Sequence, residues 1–393
     1  MARRALPVGR LASLGATRDF HDRRLAADGR QAAPSLPSVI GQLGSLDFKT
    51  RTAAAQTIRR LPPVTAIPAL VDAVRGNGDG YVRYQTPVLL SGFGADAANQ
   101  TMRQALTDKN DRLRAVAYAW FEHHPQPDVT PALVAALTTE QSEFVRPALT
   151  RAIAATRDEA RVTATLVPLV RRGANFFRSG VMEALGDYGA KSAVPPLVEA
   201  AQQDGPLQEN AIEALGKIGD ASVVSLLGSL KPSVPADVQP SVAAALCQLG
   251  VDCEAQTQSI IGTLATAARD DSRARVAEAA AHALAVLAVA GNPPALTALL
   301  DQGEAAAEPA RSPIALAVGY VALRQPGVML QAIQARAARP ATLALLRDAF
   351  DILSDEDFER ECFFTDVRRV YWEASEGSAE RQTAQAVIAA LEF

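Results

Sequence analysis

The stretch RSGVMEALGDYG at residues 178–189 is followed by QENAIEALGKIG at residues 208–219. In both, apolar residues recur every three or four positions and the segment closes on glycine, as in an amphipathic helix that ends at a glycine. Two near copies about thirty residues apart indicate an internal repeat. A period of this size is typical of a solenoid built from stacked helical pairs.

The repeat extends through the chain as an arginine followed seven positions later by a large apolar residue. The pairs are Arg51/Ile58, Arg83/Leu90, Arg114/Phe121, Arg146/Ile153 and Arg178/Leu185, with successive spacings of 32, 31, 32 and 32 residues. The same register continues at Gln208/Leu215 and Gln239/Leu246. Each anchor marks a helix with one apolar stripe. With looser Ala-rich helices after Asp270, we predict nine or ten repeats.

A second apolar helix follows each anchor helix, at residues 67–71, 129–134, 162–167, 193–198 and 223–227. Pro68, Pro131 and Pro195 fall near the predicted starts of these helices, where a missing N–H costs little. Gly, Asn and Asp mark turns at 76–80, 107–111 and 202–205. The sequence therefore predicts an all-α fold, an α-solenoid of stacked helix-turn-helix repeats in an extended rod or arc.

The segments 181–189 and 211–219, with the joints Asp79/Arg83 and Asp111/Arg114, resemble the HEAT-repeat family. The resemblance is greatest to the short bacterial repeats of phycobilisome-lyase-like proteins, and it covers about residues 38–300. It implies an armadillo-type fold and a bacterial source. It implies little about function, because the motif residues of the family are structural.

Composition excludes several function classes. The formal net charge is -4 and the pI is about 5.7, so no general basic field is available to hold a phosphate backbone, and we expect no nucleic-acid partner. No apolar run reaches the roughly 20 residues that span a bilayer. The three cysteines cannot form a disulfide framework, which favours a cytoplasmic location. Cys247 and Cys253 could form a disulfide or half a metal site, but two separate buried thiols are expected.

Charge and aromatic content divide the chain into three predicted parts. Residues 1–37 form a basic, disordered N-terminal arm, since residues 1–30 contain seven Arg against three Asp. Residues 38–345 form the HEAT-like α-solenoid. Residues 346–393 form an acidic, aromatic-rich helical cap that seals the last repeat. The alternative for this last part is a docking surface, formed by Phe358, Phe363, Phe364, Tyr371 and Trp372.

No catalytic, cofactor-binding or metal-binding residue is predicted. The sequence has no Gly-x-Ser-x-Gly elbow, and its one glycine-rich turn lacks the Lys and Ser/Thr of a phosphate-binding loop. The histidines His21, His123, His124 and His282 form no helical pair, and His123 or His124 would need ligands from a neighbouring repeat. The paired His-Glu motifs of iron-dependent hydroxylases with HEAT architecture are also missing.

The arginine anchors could suggest a phosphate track, but in a stack of this type such residues more often pair with acids of an adjacent turn. We expect the partners to be Asp47, Asp79, Asp111 and Glu143. The arginines are therefore predicted to be structural.

The sequence favours a non-enzymatic scaffold or adaptor that binds a protein partner on its concave face. The predicted contact residues are the non-core positions of the anchor helices: Tyr84, Gln85, Tyr118, Arg151, Met182, Glu183, Asn210 and Glu213. An alternative, implied by the family resemblance, is a factor that assists chromophore attachment to a protein. A HEAT-like DNA glycosylase is a third possibility, which the acidic balance opposes.

Overall fold

The computed structural model describes residues 34–337 and 339–393, so all but the last four residues of the predicted N-terminal arm lie outside the described part. Within it, every regular element is helical, and four short 3-10 helices join some of the α-helices. The α-helices are α1 (Leu36–Gln42), α2 (Phe48–Arg59), α3 (Pro63–Gly76), α4 (Gly80–Ser91), α5 (Ala95–Ala105), α6 (Asp111–His123), α7 (Thr130–Thr139), α8 (Arg146–Ala155), α9 (Glu159–Thr165), α10 (Asn175–Asp187), α11 (Val194–Ala201), α12 (Gln208–Ile218), α13 (Val224–Leu230), α14 (Gln239–Gln248), α15 (Cys253–Ala267), α16 (Ala274–Val289), α17 (Pro293–Ala305), α18 (Arg311–Arg324), α19 (Pro326–Ala335), α20 (Arg339–Ile352), α21 (Asp357–Glu373) and α22 (Ala379–Leu391).

The helices form two layers, which confirms the predicted all-α solenoid. Even-numbered helices α2 to α20 stack side by side in chain order as the inner layer, and the odd-numbered helices between them pack outside. All the predicted anchors on residues 51–239 lie on inner helices. Helix α20 continues the stack and crosses residue 345, where the sequence predicts a domain boundary.

The helix boundaries follow local chemistry. Pro131 and Pro195 occupy the first turns of α7 and α11, as predicted. Pro68 is different, because α3 already begins at Pro63 and Pro68 lies inside it. The turn at 76–80 joins α3 to α4, and the Asp79 carboxylate caps α4 by accepting from the Tyr81 N–H at 2.7 Å.

Four of the five arginine anchors hold successive helices together through backbone carbonyls, whereas Arg146 lies over the Phe177 ring of the next inner helix. Their guanidinium groups donate to oxygens at or just after the end of the preceding helix: Arg51 to Ser45, Arg83 to Val74, Arg114 to Asp108 and Arg178 to Val170, at 2.7–2.9 Å. The end of a helix exposes unpaired carbonyls that accept such bonds. The anchors are therefore structural, as predicted.

Most of the acidic partners predicted for the arginine anchors are wrong. Asp47 and Asp79 are helix caps, and Asp111 accepts from the Ser142 hydroxyl. Arg83 instead pairs with Asp108, and Arg114 forms a bidentate ion pair with Glu140. Only Arg146 meets its predicted partner, Glu143, at 3.8 Å. The caps are unavailable because their oxygens already accept backbone N–H groups at helix starts.

The Ala-Leu-Gly segments at 184–186 and 214–216 set the spacing of the inner helices around them. A Cβ on Gly186 would lie 2.8 Å from the Ala214 Cα, and one on Gly216 would lie 2.6 Å from the Ala245 Cα. These are contacts that only glycine permits. Three residues after Gly216, Gly219 ends α12 in the left-handed conformation at φ 75°.

The apolar stripes of the inner helices merge into two core clusters that meet near α14. Ile58, Leu90, Phe121, Ile153 and Leu185, the predicted apolar partners of the arginines, are all fully buried. Among the described residues, no single helix is both long and apolar enough to cross a membrane, and the one pair that passes together, α18 with α19, is bent by 119°.

Candidate functional site

The inner face of the solenoid is not an open groove. Helix α21 returns from the C-terminal end and packs against α4, more than 250 residues earlier in the chain. Its Phe358 belongs to the N-terminal core cluster, whereas Phe363 belongs to the C-terminal one. The stack therefore closes on itself, which corrects the expectation of an extended rod or arc.

An ion pair with two arginines marks the centre of this closure. Glu361 on α21 is 1% exposed and accepts from the Arg59 guanidinium at 2.6 and 2.8 Å. Arg368 donates to the other carboxylate oxygen at 3.1 Å. Burial lowers the pKa of Arg368, the Arg59 charge adds to this, and the Glu361 charge acts in the opposite direction. Glu361 thus binds the first inner helix to α21 through a charge that is shielded from water.

Two polar contacts extend the closure along α4 and α6. Asp357 accepts from the Tyr84 hydroxyl at 2.8 Å and from the Gln85 amide at 2.6 Å. Burial and the Asp357 charge raise the pKa of Tyr84, so its hydroxyl remains a donor. On α6, His123 Nε2 lies 3.1 Å from both oxygens of Glu359. The acidic side of α21 is therefore matched by donors from three inner helices.

The next inner helices carry a second polar cluster. Arg151 donates to Glu122 at 3.0 Å, and the Tyr188 hydroxyl donates to the other oxygen of Glu122 at 2.9 Å. Arg324 on α18 reaches across the inner face to Asp187 on α10 at 3.2 Å and to Glu183 at 3.5 Å. Since three inner helices, α12, α14 and α16, lie between α10 and α18 in chain order, the curvature here is tight enough to bring the side chains of α10 and α18 into contact.

Lysine and histidine complete this cluster around Glu213. Lys217 Nζ lies 2.5 Å from Glu213 and 2.8 Å from Asp187, and His282 Nε2 lies 2.8 Å from Glu213. Burial alone would raise the pKa of Glu213, but the charges of Lys217 and His282 outweigh it and lower the pKa below its ordinary value. The carboxylate is therefore ionised and paired.

The predicted partner-binding residues fall into two groups. Tyr118 and Met182 are buried in the core, so their side chains cannot meet a partner, and for these two the prediction is wrong. Both side chains belong to the core cluster of the stacked N-terminal repeats. The others lie on the inner face, with contacts within the chain for Tyr84, Gln85, Arg151, Glu183 and Glu213. Asn210 is partly exposed there. Partner binding by these six residues stays a prediction.

The C-terminal aromatic residues mostly form core. Phe358, Phe363 and Phe364 are buried, and the Phe364 ring stacks on Phe393 with centroids 4.0 Å apart. Their burial favours the capping interpretation over docking. Tyr371 is partly exposed, and Trp372, 72% exposed, is the accessible member of the set. Docking at Tyr371 and Trp372 stays a prediction.

The two neighbouring cysteines are bonded. Cys247 at the end of α14 and Cys253 at the start of α15 form a disulfide, and Asn292 lies against its sulfurs. The expectation of two separate thiols is wrong in this respect, because the turn between the helices brings the residues side by side. The disulfide lines an open cavity of about 700 Å³ that also contains Lys217 and Thr257.

The sequence does not predict the closure, because no motif in it indicates a contact between the two ends of the solenoid. The acidic run of α21 was recognisable, but the residues that receive it lie 236 to 302 positions away. One signal was available. Arg59 and Arg60 lie at the end of the first anchor helix, and no acidic residue that could pair with them lies nearby in the sequence.

Comparison with known proteins agrees with the repeat. Residues 177–203, which include α11 and most of α10, match the family model of the PBS lyase HEAT-like repeat. No curated protein sequence matches the chain. One similar solved structure is the complex of CpcE and CpcF of phycocyanin lyase from Nostoc sp. PCC7120, at 17% identity over 57% of this chain and 90% of that chain, with a TM-score of 0.36.

A second similar structure is human deoxyhypusine hydroxylase in complex with glycerol, at 20% identity over 66% of this chain and 96% of that chain, with a TM-score of 0.29. Neither likeness is close enough to carry an argument about this chain's chemistry. The family match confirms the predicted resemblance. Residues 177–203 match the PBS lyase HEAT-like repeat and lie within an all-helical solenoid.

Proposed function

We propose that this protein is a non-enzymatic HEAT-repeat scaffold whose inner face receives a helical segment of a protein partner. One observation carries the proposal: the inner face already holds a helix, α21, across α2, α4 and α6. A helix laid in a groove between helices is a common mode of protein recognition.

The contacts of α21 define the chemistry that the groove accepts. Asp357 and Glu361, one helical turn apart, meet the donors of Tyr84 and Arg59, while Phe358 enters the apolar core. Positions four residues apart lie on the same side of a helix. The preferred partner segment is therefore an amphipathic helix with two carboxylates at this spacing beside an aromatic residue, and it takes the place of α21.

In-cell photo-crosslinking tests this. A photo-reactive phenylalanine analogue placed at Gln85, which contacts Asp357, reports on whatever occupies the groove. We expect an internal crosslink to α21 and, in the same cells, an adduct with a distinct protein. Glu361→Gln, which weakens the hold on α21, should increase the adduct at the expense of the internal crosslink.

The control position is Val64, 81% exposed on the outer helix α3. Adducts that are the same at Val64 and Gln85 would contradict the proposal. So would the absence of any adduct at Gln85 in both the wild-type protein and the Glu361→Gln variant.

A second candidate function is assistance in attaching a chromophore to a protein. The match of residues 177–203 to the PBS lyase HEAT-like repeat favours it. If it is correct, mixing the purified protein with a bilin should shift the absorbance spectrum of the bilin. An unchanged spectrum argues for the scaffold without this activity.

A further inference from the structure

Three potential metal ligands converge where α21 crosses α6. His123 at the end of α6 offers an imidazole nitrogen, and Glu359 and Cys362 offer a carboxylate oxygen and a sulfur from the same side of α21. The three ligand atoms all lie within 4.8 Å of one another. The His123 nitrogen is 3.1 Å from the Glu359 oxygens.

We propose that His123, Glu359 and Cys362 form a zinc site that fastens α21 to α6. Nitrogen, oxygen and sulfur are the ligand atoms that zinc accepts, whereas calcium and magnesium take sets of oxygen ligands. Three protein ligands leave one position of a tetrahedral ion for water. The site goes beyond the proposed scaffold function and does not depend on it.

The spacing suits a tetrahedral ion. With metal–ligand distances of about 2.0–2.3 Å, neighbouring ligand atoms lie about 3.3–3.8 Å apart. The nitrogen–oxygen separation is already close to this range, and a change of about 1 Å at the Cys362 sulfur completes the set. Such a shift is within reach of side-chain torsions at a surface where His123 is 37% exposed. The same exposure gives the ion a path from solvent.

The charges around the three ligands are of both signs, and several carboxylates lie near the Cys362 thiol. Burial is the first cause of the raised pKa of Cys362, and the carboxylates of Glu359, Glu361 and Asp366 add to it. A cation at this point would relieve that accumulation of negative charge. Burial raises the pKa of Glu359, but the hydrogen bond and charge of His123, followed by the charges of Arg324 and Arg151, outweigh it and lower the pKa. On binding, the thiol loses its proton to water and its sulfur bonds to the metal.

Cobalt binding to the full-length protein tests the site, because a thiolate ligand gives cobalt a charge-transfer absorption band. The chain has three cysteines, so the Cys247→Ser/Cys253→Ser double variant leaves Cys362 as the sole thiol. We expect this variant to bind one cobalt ion per chain with the thiolate band, and zinc to displace the cobalt. Absence of the band in this variant overturns the proposal.

Single variants in that background assign the ligands. Cys362→Ser should abolish the band, and His123→Ala should weaken cobalt binding at least about 10-fold, the lower end of the loss caused by removing even an outer partner of a metal site. His124→Ala is the matched control. His124 is the adjacent histidine, stacked on Trp120 and outside the cluster, so the cobalt affinity of this variant should be unchanged. Equal affinity in the His123→Ala and His124→Ala variants, both folded by circular dichroism, also overturns the proposal.

Discussion

The contacts within the stack and the contact that closes it are made by different chemistry. Neighbouring inner helices meet through fully buried aliphatic side chains such as Leu185 and Leu215. Helix α21 also places Phe358 in the core, but it meets the first inner helices in addition through Glu361, Asp357 and Glu359, each paired with a donor. Apolar contacts are non-directional, whereas a buried carboxylate must find its partner in one arrangement. The stack can therefore grow by repetition, but its closure needs specific residues.

The comparison also separates two uses of arginine. Four of the five arginine anchors donate to carbonyls at nearby helix ends, six to nine positions away in the chain. Arg59 on the same helix as Arg51 donates to a carboxylate 302 positions away. The first use stabilises one joint, and the second fixes the ends of the solenoid together.

The largest effect is expected at the closure. Glu361→Ala leaves Arg59 and Arg368 without their shared carboxylate in a site that excludes water, and we expect a loss of about 3–5 kcal/mol of unfolding free energy. Urea denaturation followed by circular dichroism measures this. Glu373→Ala, an exposed site on the same helix, is the control and should change stability by less than about 0.5 kcal/mol. Equal urea midpoints for the two variants would show that the ion pair of Glu361 with Arg59 and Arg368 does not stabilise the closure.

The next effect lies within the stack. Leu185 is fully buried between inner helices, and Leu185→Ala should cost about 2–5 kcal/mol, the loss of transfer energy plus the cavity. Leu316→Ala makes the same change at a side chain that is 38% exposed, and it should cost much less. An unchanged melting curve for the Leu185 variant would mean that the apolar stripe is misplaced.

A smaller effect is expected where glycine sets the helix spacing. Gly216→Ala places a methyl group 2.6 Å from the Ala245 Cα and 2.7 Å from its Cβ, and overpacking of this kind costs about 1–3 kcal/mol. The matched control is Gly228→Ala on α13, where the added methyl meets nothing within 4 Å. There the gain in helix propensity should leave the protein as stable or up to about 1 kcal/mol more stable. Thermal melts distinguish the two outcomes, and destabilisation by both changes would contradict the close-approach explanation.

The smallest effect concerns pH. Burial lowers the pKa of His282, but the charge and hydrogen bond of Glu213 outweigh it and raise the pKa above its ordinary value of 6.5. Because the pKa is raised on folding, the stabilisation that protonated His282 gives through Glu213 is complete below about pH 6.5. It is lost as the pH rises through the folded-state pKa. Because the ring is 43% exposed, we expect a modest effect.

His282→Gln isolates this contribution. The stability difference between the wild-type protein and the variant should shrink between about pH 6 and pH 8.5, measured as urea midpoints. A difference that stays constant or grows over this range would show that His282 is not protonated preferentially in the folded state.

The sequence was a reliable guide to each repeat and a poor one to the inner face. Arg83 and Leu90 were placed correctly because both act within a helix and its neighbour, where the spacing is fixed by helical geometry. Tyr118 and Met182 were placed on the groove by the same periodicity, yet they are buried. Periodicity gives the direction of a side chain from its own helix, but not how the neighbouring helices of the stack pack around it.

The sequence by itself determined the helical pairs, their order and the apolar stripe, since each depends on residues within one or two repeats and on nearest-neighbour packing. Only the tertiary structure decided that the solenoid closes and that α21 fills the inner face between α2 and α6. The physical reason is the accumulated curvature of ten stacked helices. Small rotations at every joint add up, and their sum brings Arg59 to Glu361 and His123 to Glu359 although no spacing in the chain relates them.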